Sequence, residues 1–190
     1  DGDNANDINA SNSFAEVQDA ITSWADNGDR LTVYLIGDND NDDFRLSGGK
    51  VVDPTSLDTW LDYFQRSNRT VNVVLEFAGS GGFIPFLQPP PDEERYTFAS
   101  SAAGRQQTLT EELSYSTFFL GEIFNGESLG IASRRARKGI RRASGNIRQK
   151  GFVDDNNNGI PNEKNVDEVA SMSRFIGSPF FTGEDIPNIA

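Results

Sequence analysis

An Asp- and Asn-rich segment late in the sequence has the residue types and the spacing of a calcium-binding loop. Counted from Asp154, side-chain oxygens fall at loop positions 1, 3 and 5, a glycine at position 6 and a backbone carbonyl at position 7. The predicted ligands are Asp154, Asn156, Asn158 and the carbonyl of Ile160, with Glu163 or Asp167 as the closing carboxylate. Because two ligands are uncharged, we expect calcium binding as weak as in extracellular modules. The alternative is a solvated turn rich in Asp and Asn.

A second acidic string also alternates carboxylates with other residues. Asp38, Asp40 and Asp42 form it, and the same reasoning makes them a candidate second metal site. The string lacks the glycine of a calcium loop, so a mobile acidic surface loop is the alternative. Residues Asp1, Asp3 and Asp7 form a further, weaker string of this kind.

A glycine-rich segment that begins at Ala78 has the A-x-S-x-G spacing of a hydrolase nucleophile elbow, with Ser80 at its centre. The sequence contains no Cys and no His. Cys–His pairs, Ser-His-Asp triads and zinc sites made of His or Cys are therefore excluded. Ser80 would need a Lys or a carboxylate as its base, and no Lys lies nearby in the sequence. The alternative is that Ser80 and the glycines only shape a turn.

Basic residues are concentrated in one predicted helix of an acidic chain whose net charge is −12. The predicted docking residues are Arg134, Arg135, Arg137, Lys138, Arg141 and Arg142. This positive ridge would suit an acidic partner, including the acidic surface of another copy of the chain. Local pairing with Asp and Glu is the alternative. The overall charge opposes nucleic acid as a partner.

The hydrophobic pattern predicts helices and strands that alternate over most of the sequence. A first helix begins after Ser13, which is spaced with Glu16 as a capping box, and its buried stripe includes Trp24. Asp53 and Pro54 predict the start of a second helix. The other predicted elements are strands at 31–36, 44–46, 71–77 and 96–100, and helices at 114–124 and from 128. This alternation is typical of an α/β domain with a mainly parallel sheet.

The 190 residues suffice for one domain with a core, and 36% of them are apolar. We divide the sequence into a polar segment at 1–12, an α/β domain at 13–150 and a C-terminal extension at 151–190 that packs on the domain or leads to a neighbour. No apolar run approaches the length of a membrane span, and no signal peptide is visible. The acidic composition favours an extracellular setting.

Several short strings occur in a familiar order. The first predicted strand ends at Gly37-Asp38-Asn39 and is followed by Phe44-Arg45-Leu46, and the strand at 71–77 leads into Ala78-Gly79-Ser80-Gly81-Gly82-Phe83. In this order the chain resembles the legumain-type cysteine peptidases of the caspase–haemoglobinase fold, especially bacterial extracellular members. In that family the first strand ends in His-Gly and the second in Asp-Ala-Cys-x-Ser-Gly-Ser-Phe. The resemblance covers about residues 12–185.

The resemblance implies a caspase-like three-layer sandwich, with a mainly parallel central sheet and helices on both faces. It aligns the catalytic His of the family with Asp38 and the nucleophilic Cys with Ala78. Both reacting groups are therefore replaced: alanine has no nucleophile, and the Asp38 carboxylate has no thiol to activate. The simultaneous change of Gly to Asn39 favours natural loss over laboratory inactivation.

These observations predict a protein that is not an enzyme. We expect a catalytically inactive caspase-like domain that acts as a structural or self-assembly module at the surface of a microbial cell or outside it, stabilised by calcium. Its partners would be further copies or neighbouring extracellular domains. Two alternatives stay open: a pseudopeptidase that binds a peptide or protein partner in the former active-site cleft, and an engineered inactive form of a cysteine endopeptidase.

Overall fold

The computed structural model describes residues 11–66, 68–102, 104–105, 107, 113–143 and 149–177. Asp1, Asp3 and Asp7, together with the predicted C-terminal tail from residue 178, lie outside this part of the chain. The helices are α1 (Phe14–Thr22), α2 (Pro54–Phe64), α3 (Tyr115–Phe124) and α4 (Leu129–Ala143). The strands are β1 (Arg30–Ile36), β2 (Asn39–Asp40), β3 (Asp43–Arg45), β4 (Val51–Val52), β5 (Thr70–Glu76), β6 (Glu94–Ala99) and β7 (Phe152–Asp154).

The central sheet has the strand order β1-β5-β6-β7. β1, β5 and β6 run parallel to one another, and β7 pairs antiparallel with β6. The short strands β2, β3 and β4 form a separate antiparallel sheet between β1 and α2. The sheet is therefore mixed but mainly parallel, as the alternation of predicted elements indicates.

Two hydrophobic clusters lie on opposite faces of this sheet, and β5 contributes to both. Val73 and Leu75 belong to the cluster that contains the buried residues of α1 and α2, whereas Val74 belongs to the cluster formed with α3 and α4. Successive side chains of a strand point to opposite faces, so a strand covered on both sides is apolar at consecutive positions. The predicted α/β three-layer sandwich is confirmed.

The predicted helix starts are confirmed, and one predicted core residue is wrong. Ser13 Oγ accepts the Glu16 N–H at 3.4 Å, and Asp53 Oδ1 accepts the Ser56 N–H at 2.9 Å. Trp24 does not extend the buried stripe of α1, because its side chain is 74% exposed. The α-helix ends at Thr22, and the following turn, Trp24–Asn27, is a 3₁₀-helix. The tighter winding changes the face, so the helical spacing no longer holds beyond the end of α1.

The extension after residue 150 contributes directly to the sheet. β7 pairs with β6, with Phe98 opposite Val153, and Val153 is fully buried in the α3–α4 cluster. Its three residues are too few for a periodic signal in the sequence. The predicted domain boundary at 150 therefore lies just before a strand of the central sheet.

Candidate functional site

Asp38 and Ala78, the two positions that the resemblance makes catalytic, lie side by side at the carboxyl edge of the central sheet. β1 and β5 stay in register up to Ile36 and Glu76, and the Gly37 N–H donates to the Glu76 carbonyl at 3.1 Å. The next residues of the two strands are therefore neighbours. This edge is where α/β folds usually place ligand sites. The side chains present there do not form a nucleophile–base pair, because alanine carries no reactive group.

The backbone donor that follows position 78 is already bonded. The Gly79 N–H donates to the Arg105 carbonyl at 3.0 Å. In hydrolases with a strand–turn nucleophile, the N–H after the nucleophile helps to form the oxyanion hole. Here that donor attaches Arg105 to the turn. The φ angle of Gly79 is +82°, so the turn also requires glycine at this position.

Ser80 is a buried residue that joins two loops. Its Oγ accepts the Ser101 N–H at 3.2 Å, and the Gly81 N–H donates to the Ser101 carbonyl at 2.8 Å. The Ser80 side chain is fully buried. A nucleophile must reach its substrate, so this geometry supports the interpretation of Ser80 as a turn residue.

The acidic string after β1 forms a hairpin that does not gather its carboxylates. Asn41 and Asp42 have φ angles of 51° and 70° and form the turn between β2 and β3. Asp38 lies 3.6 Å from Arg45, and Asp40 accepts a hydrogen bond from the Asn41 amide. Asp42 instead lies beside Gly79: a Cβ atom built on that glycine would be 2.7 Å from Asp42 Oδ1. The three carboxylates of the candidate second metal site thus have different neighbours in the structure.

The Asp154 segment closes into a compact loop. Asp154 Oδ1 accepts the Asn157 N–H at 2.9 Å, and Oδ2 accepts the Gly159 N–H at 2.8 Å. Asn158 Oδ1 accepts the Ile160 N–H at 2.8 Å. The φ angle of Gly159 is +75°, which explains the glycine at loop position 6. This loop conformation is common to a calcium loop and to the alternative turn rich in Asp and Asn.

Glu163 is brought to the same loop. Its Oε2 accepts a hydrogen bond from the Asn158 side-chain amide and another, at 3.0 Å, from that of Asn156. These two bonds hold the pKa of Glu163 below its ordinary value, and the bond from Asn158 has the larger effect. Each amide group also carries an oxygen, so these three side chains can offer oxygen ligands to a hard cation.

Asp167, the alternative closing carboxylate, has a different role. It accepts the Glu163 N–H at 2.6 Å and the Asp155 N–H at 3.4 Å. Burial raises the pKa of Asp167 to about 6, against the effect of these hydrogen bonds. The geometry therefore favours Glu163 as the closing ligand.

Asp155 is a structural residue that the sequence pattern did not single out. Its buried carboxylate accepts the Glu168 N–H at 2.9 Å, the Ser171 N–H at 2.8 Å and the Ser171 hydroxyl at 2.6 Å. Its neighbour Asp154 carries the loop signal, because the calcium-loop pattern places side-chain ligands at alternate positions. Asp155 instead attaches the loop to the segment that follows it.

In the part of the chain that the structure describes, no group of three or more acidic side chains is placed to hold a metal ion. The Asp154 loop offers two carboxylates, those of Asp154 and Glu163. Calcium binding there would also need amide oxygens and the Ile160 carbonyl, which are ligands of the type that calcium accepts.

No family model matches this sequence, and no curated protein matches it.

The basic residues of α4 divide into two groups. Arg135 pairs with Glu122 and Glu127, and Arg137 turns toward the C-terminal segment, where it contacts Asn162 and Glu168. Arg135 and Arg137 are therefore paired locally. The other predicted docking residues, Arg134, Lys138, Arg141 and Arg142, are exposed on the outer surface of α4.

None of the helices within the described ranges is long and apolar enough to cross a membrane.

Proposed function

We propose that this chain is a catalytically inactive, legumain-like α/β domain that acts as a structural, self-associating module outside the cell. Its lack of activity is supported by Ala78 at the nucleophile position and by the Gly79 N–H, which is bonded to the Arg105 carbonyl. The acidic composition and the Asp154 loop support the extracellular location, because weak calcium loops suit extracellular calcium levels.

The observation that carries self-association is the distribution of charge between the two helical layers. α1 and α2 contain four acidic residues and no Lys or Arg, whereas α4 contains six basic residues and no Asp or Glu. Two of these acidic residues, Asp58 and Asp62, pair with Arg95, and two of the basic ones, Arg135 and Arg137, pair locally. The remaining charges still differ in sign between the two layers. The two layers cover opposite faces of the sheet. The basic layer of one copy therefore complements the acidic layer of the next. Contacts between two different faces are heterologous, and they produce open polymers unless the rotation between copies closes a ring.

Apolar residues beside α4 add to this surface. Phe124 is 93% exposed and Leu120 is 47% exposed, and the two residues lie one turn apart on α3. α3 and α4 pack side by side, so the apolar residues and the basic ridge belong to the same helical layer. Exposed apolar groups next to charges are typical of surfaces that a partner covers.

Calcium is the proposed stabilising cofactor, with Asp154, Asn156, Asn158, Glu163 and the Ile160 carbonyl as ligands. We expect the thermal midpoint to rise with millimolar calcium and to return on addition of a chelator, because a ligand that binds only the folded state stabilises it. Asp154→Asn should abolish this shift. Asp92→Asn, an exposed acidic residue outside the loop, is the matched control.

Peptide binding in the former cleft is less well supported. The Asp42 carboxylate and the Arg105 carbonyl both contact the turn at Gly79. A bound peptide would have to displace these groups.

Light scattering and electron microscopy across protein concentration test the proposal. We expect polymers at low salt that shrink at about 1 M salt, where charges are screened within about 3 Å. Lys138→Glu in α4 should weaken assembly, whereas Lys50→Glu in the hairpin region makes the same change in net charge and should have little effect. A monodisperse monomer under all conditions would contradict the proposal.

A further inference from the structure

Among the residues that the structure describes, β1 is an edge strand of the central sheet, because it pairs with β5 alone. The Asp29 carbonyl accepts the Thr70 N–H at 3.2 Å, and the Gly37 N–H donates to the Glu76 carbonyl at 3.1 Å. In a parallel pair, alternate residues bond to one neighbour. The odd-numbered residues of β1 therefore bond to β5, and the N–H and C=O groups of the even-numbered ones point away from the sheet.

Within the described residues, β1 pairs only with β5, and no other backbone hydrogen bond reaches Thr32, Tyr34 or Ile36. Natural edge strands are usually short or are interrupted by charges, prolines or bulges. β1 has seven residues, and from Leu31 to Ile36 it contains no charge, proline or glycine. From Leu31 to Ile36, the sequence of β1 thus carries none of these protective features.

The sequence of β1 is nearly symmetric about its centre. Leu31 and Leu35 lie at equal distances from Val33, and Thr32 and Tyr34 lie between them. An antiparallel pair of two β1 strands related by a two-fold axis at Val33 brings Leu31 opposite Leu35 and Thr32 opposite Tyr34. All outward backbone groups then face one another, and about eight inter-strand hydrogen bonds form.

The faces of the two sheets also match in this arrangement. Leu31, Val33 and Leu35 belong to the α1–α2 cluster. A two-fold axis normal to the sheet keeps these residues on the same face in both copies, so the apolar layer continues across the junction. The one charged residue of β1, Arg30, lies opposite Ile36 of the second copy and away from the second Arg30.

We propose that β1 is a self-pairing edge, and that two copies of this chain join their central sheets through antiparallel β1 strands about a two-fold axis at Val33. The inference rests on the proposed self-association but uses a different surface. The β1 contact is isologous and closes as a dimer, whereas contacts between the charged layers extend into polymers.

Opposite charge changes at one exposed residue test the register. Ile36 is 49% exposed and would face Arg30 of the second copy. Ile36→Lys should raise the dissociation constant of the dimer about tenfold, because two like-charge pairs form. Ile36→Glu should lower the dissociation constant by a similar factor, because two opposite-charge pairs form. Sedimentation equilibrium measures the dissociation constant at two salt concentrations. At about 1 M salt, contacts between the charged layers are suppressed. At about 0.1 M salt, the dissociation constants of the two variants must diverge.

A second pair of variants tests the backbone bonds. Thr32→Pro removes an N–H that β5 does not use, and proline is tolerated at such edge positions. It should give a folded monomer at high salt, as judged by circular dichroism and melting. Thr32→Val keeps the N–H, removes the same hydroxyl and should remain dimeric.

The outcomes separate the two proposals. Salt-resistant dimers that respond to Ile36 and Thr32 substitutions support the β1 edge, even if Lys138→Glu shows no effect and the layer contacts are rejected. Salt-sensitive polymers that ignore the Ile36 and Thr32 substitutions overturn the β1 edge and leave the proposed function standing. A monomer in every buffer overturns both.

Discussion

The buried carboxylate of Glu76 accepts a hydrogen bond of 2.9 Å from the hydroxyl of Tyr34, its neighbour on β1. The same oxygen, Oε2, accepts the Ser116 N–H at 2.9 Å, in the first turn of α3. Free N–H groups and the helix dipole make a helix N-terminus a favourable place for a carboxylate. Glu76 thus connects β1, β5 and α3 directly below the edge that carries Asp38 and Ala78.

Removal of the Tyr34 hydroxyl should destabilise the fold. Tyr34→Phe deprives a buried carboxylate of one donor, and the expected loss in the free energy of unfolding is about 1–3 kcal/mol. Chemical denaturation measures this loss. Tyr63→Phe is the matched control, because Tyr63 is exposed on α2, and its change should stay within about 0.5 kcal/mol. Equal effects of the two substitutions would contradict the role of the Glu76 contact.

Stability should fall in alkaline solution. Burial raises the pKa of both the Tyr34 and the Tyr115 hydroxyl, and the Glu76 charge adds to the effect at Tyr34. The unfolded chain releases these protons near pH 10, whereas the folded chain keeps them. The folded state then binds more protons, so stability decreases as the pH rises above about 10. Denaturation midpoints measured upward from pH 8 should decline more gently in Tyr34→Phe; an identical slope would contradict this assignment.

The sequence predicted most of the fold because the elements of the core have strong local signals. The caps at Ser13 and Asp53 and the continuous apolar run of β5 are visible without tertiary information. The prediction that Trp24 is buried is wrong because the helical spacing of apolar residues holds only while the helix continues. β7 was not predicted because its three residues gain their role from pairing with β6, a long-range contact.

The candidate sites were predictable to a smaller extent. The spacing from Asp154 predicted a loop with glycine at position 6. Asp38 and Ala78 follow the in-register ends of β1 and β5, a pairing that the sequence does not specify locally. The hydrogen bond between Gly79 and Arg105 joins segments far apart in the chain and has no local signal. The inward turn of Arg137 likewise depends on Glu168, which α4 meets only in the folded structure.

Replacement of Arg95 should lower the stability of the fold more than replacement of an exposed charged residue. Its guanidinium is fully buried and lies 2.6 Å from Asp58, 2.7 Å from Asp62 and 2.8 Å from the Gln65 amide oxygen. Arg95→Ala leaves the buried Gln65 amide oxygen without this donor, whereas Asp58 and Asp62 are 25% and 42% exposed and keep access to water. The substitution should therefore cost about 1–3 kcal/mol.

Arg45→Ala is the matched control for this substitution. Arg45 and Asp38 form an exposed pair at 3.6 Å, and such pairs contribute about 0–1 kcal/mol. Urea denaturation of both variants provides the comparison. A loss of less than about 1 kcal/mol for Arg95→Ala would show that the buried network is not stabilising.

Two glycine-to-alanine substitutions should have opposite effects on the stability of the fold. Gly159 has φ +75°, and an added Cβ would lie 3.1 Å from the Gln88 amide nitrogen, so Gly159→Ala should cost more than about 1 kcal/mol. Gly121 lies inside α3, with open space at its Cβ position. Gly121→Ala should therefore stabilise the protein by about 0.5–1 kcal/mol. Thermal melting of both variants measures the difference, and a stabilising Gly159→Ala would contradict the loop conformation.

Restoring the two reactive side chains should not restore peptidase activity. Asp38→His and Ala78→Cys together supply an imidazole and a thiol just beyond the ends of β1 and β5, but the Gly79 N–H stays bonded to the Arg105 carbonyl. Without that donor, the negative charge that develops on the substrate carbonyl has one stabilising group fewer, which costs about 10²–10³ in rate. A peptide-library assay on the folded double variant, with alkylation to verify an accessible thiol, is the measurement. Efficient cleavage would mean that inactivation resides in these two positions alone, as an engineered form of a working peptidase would require.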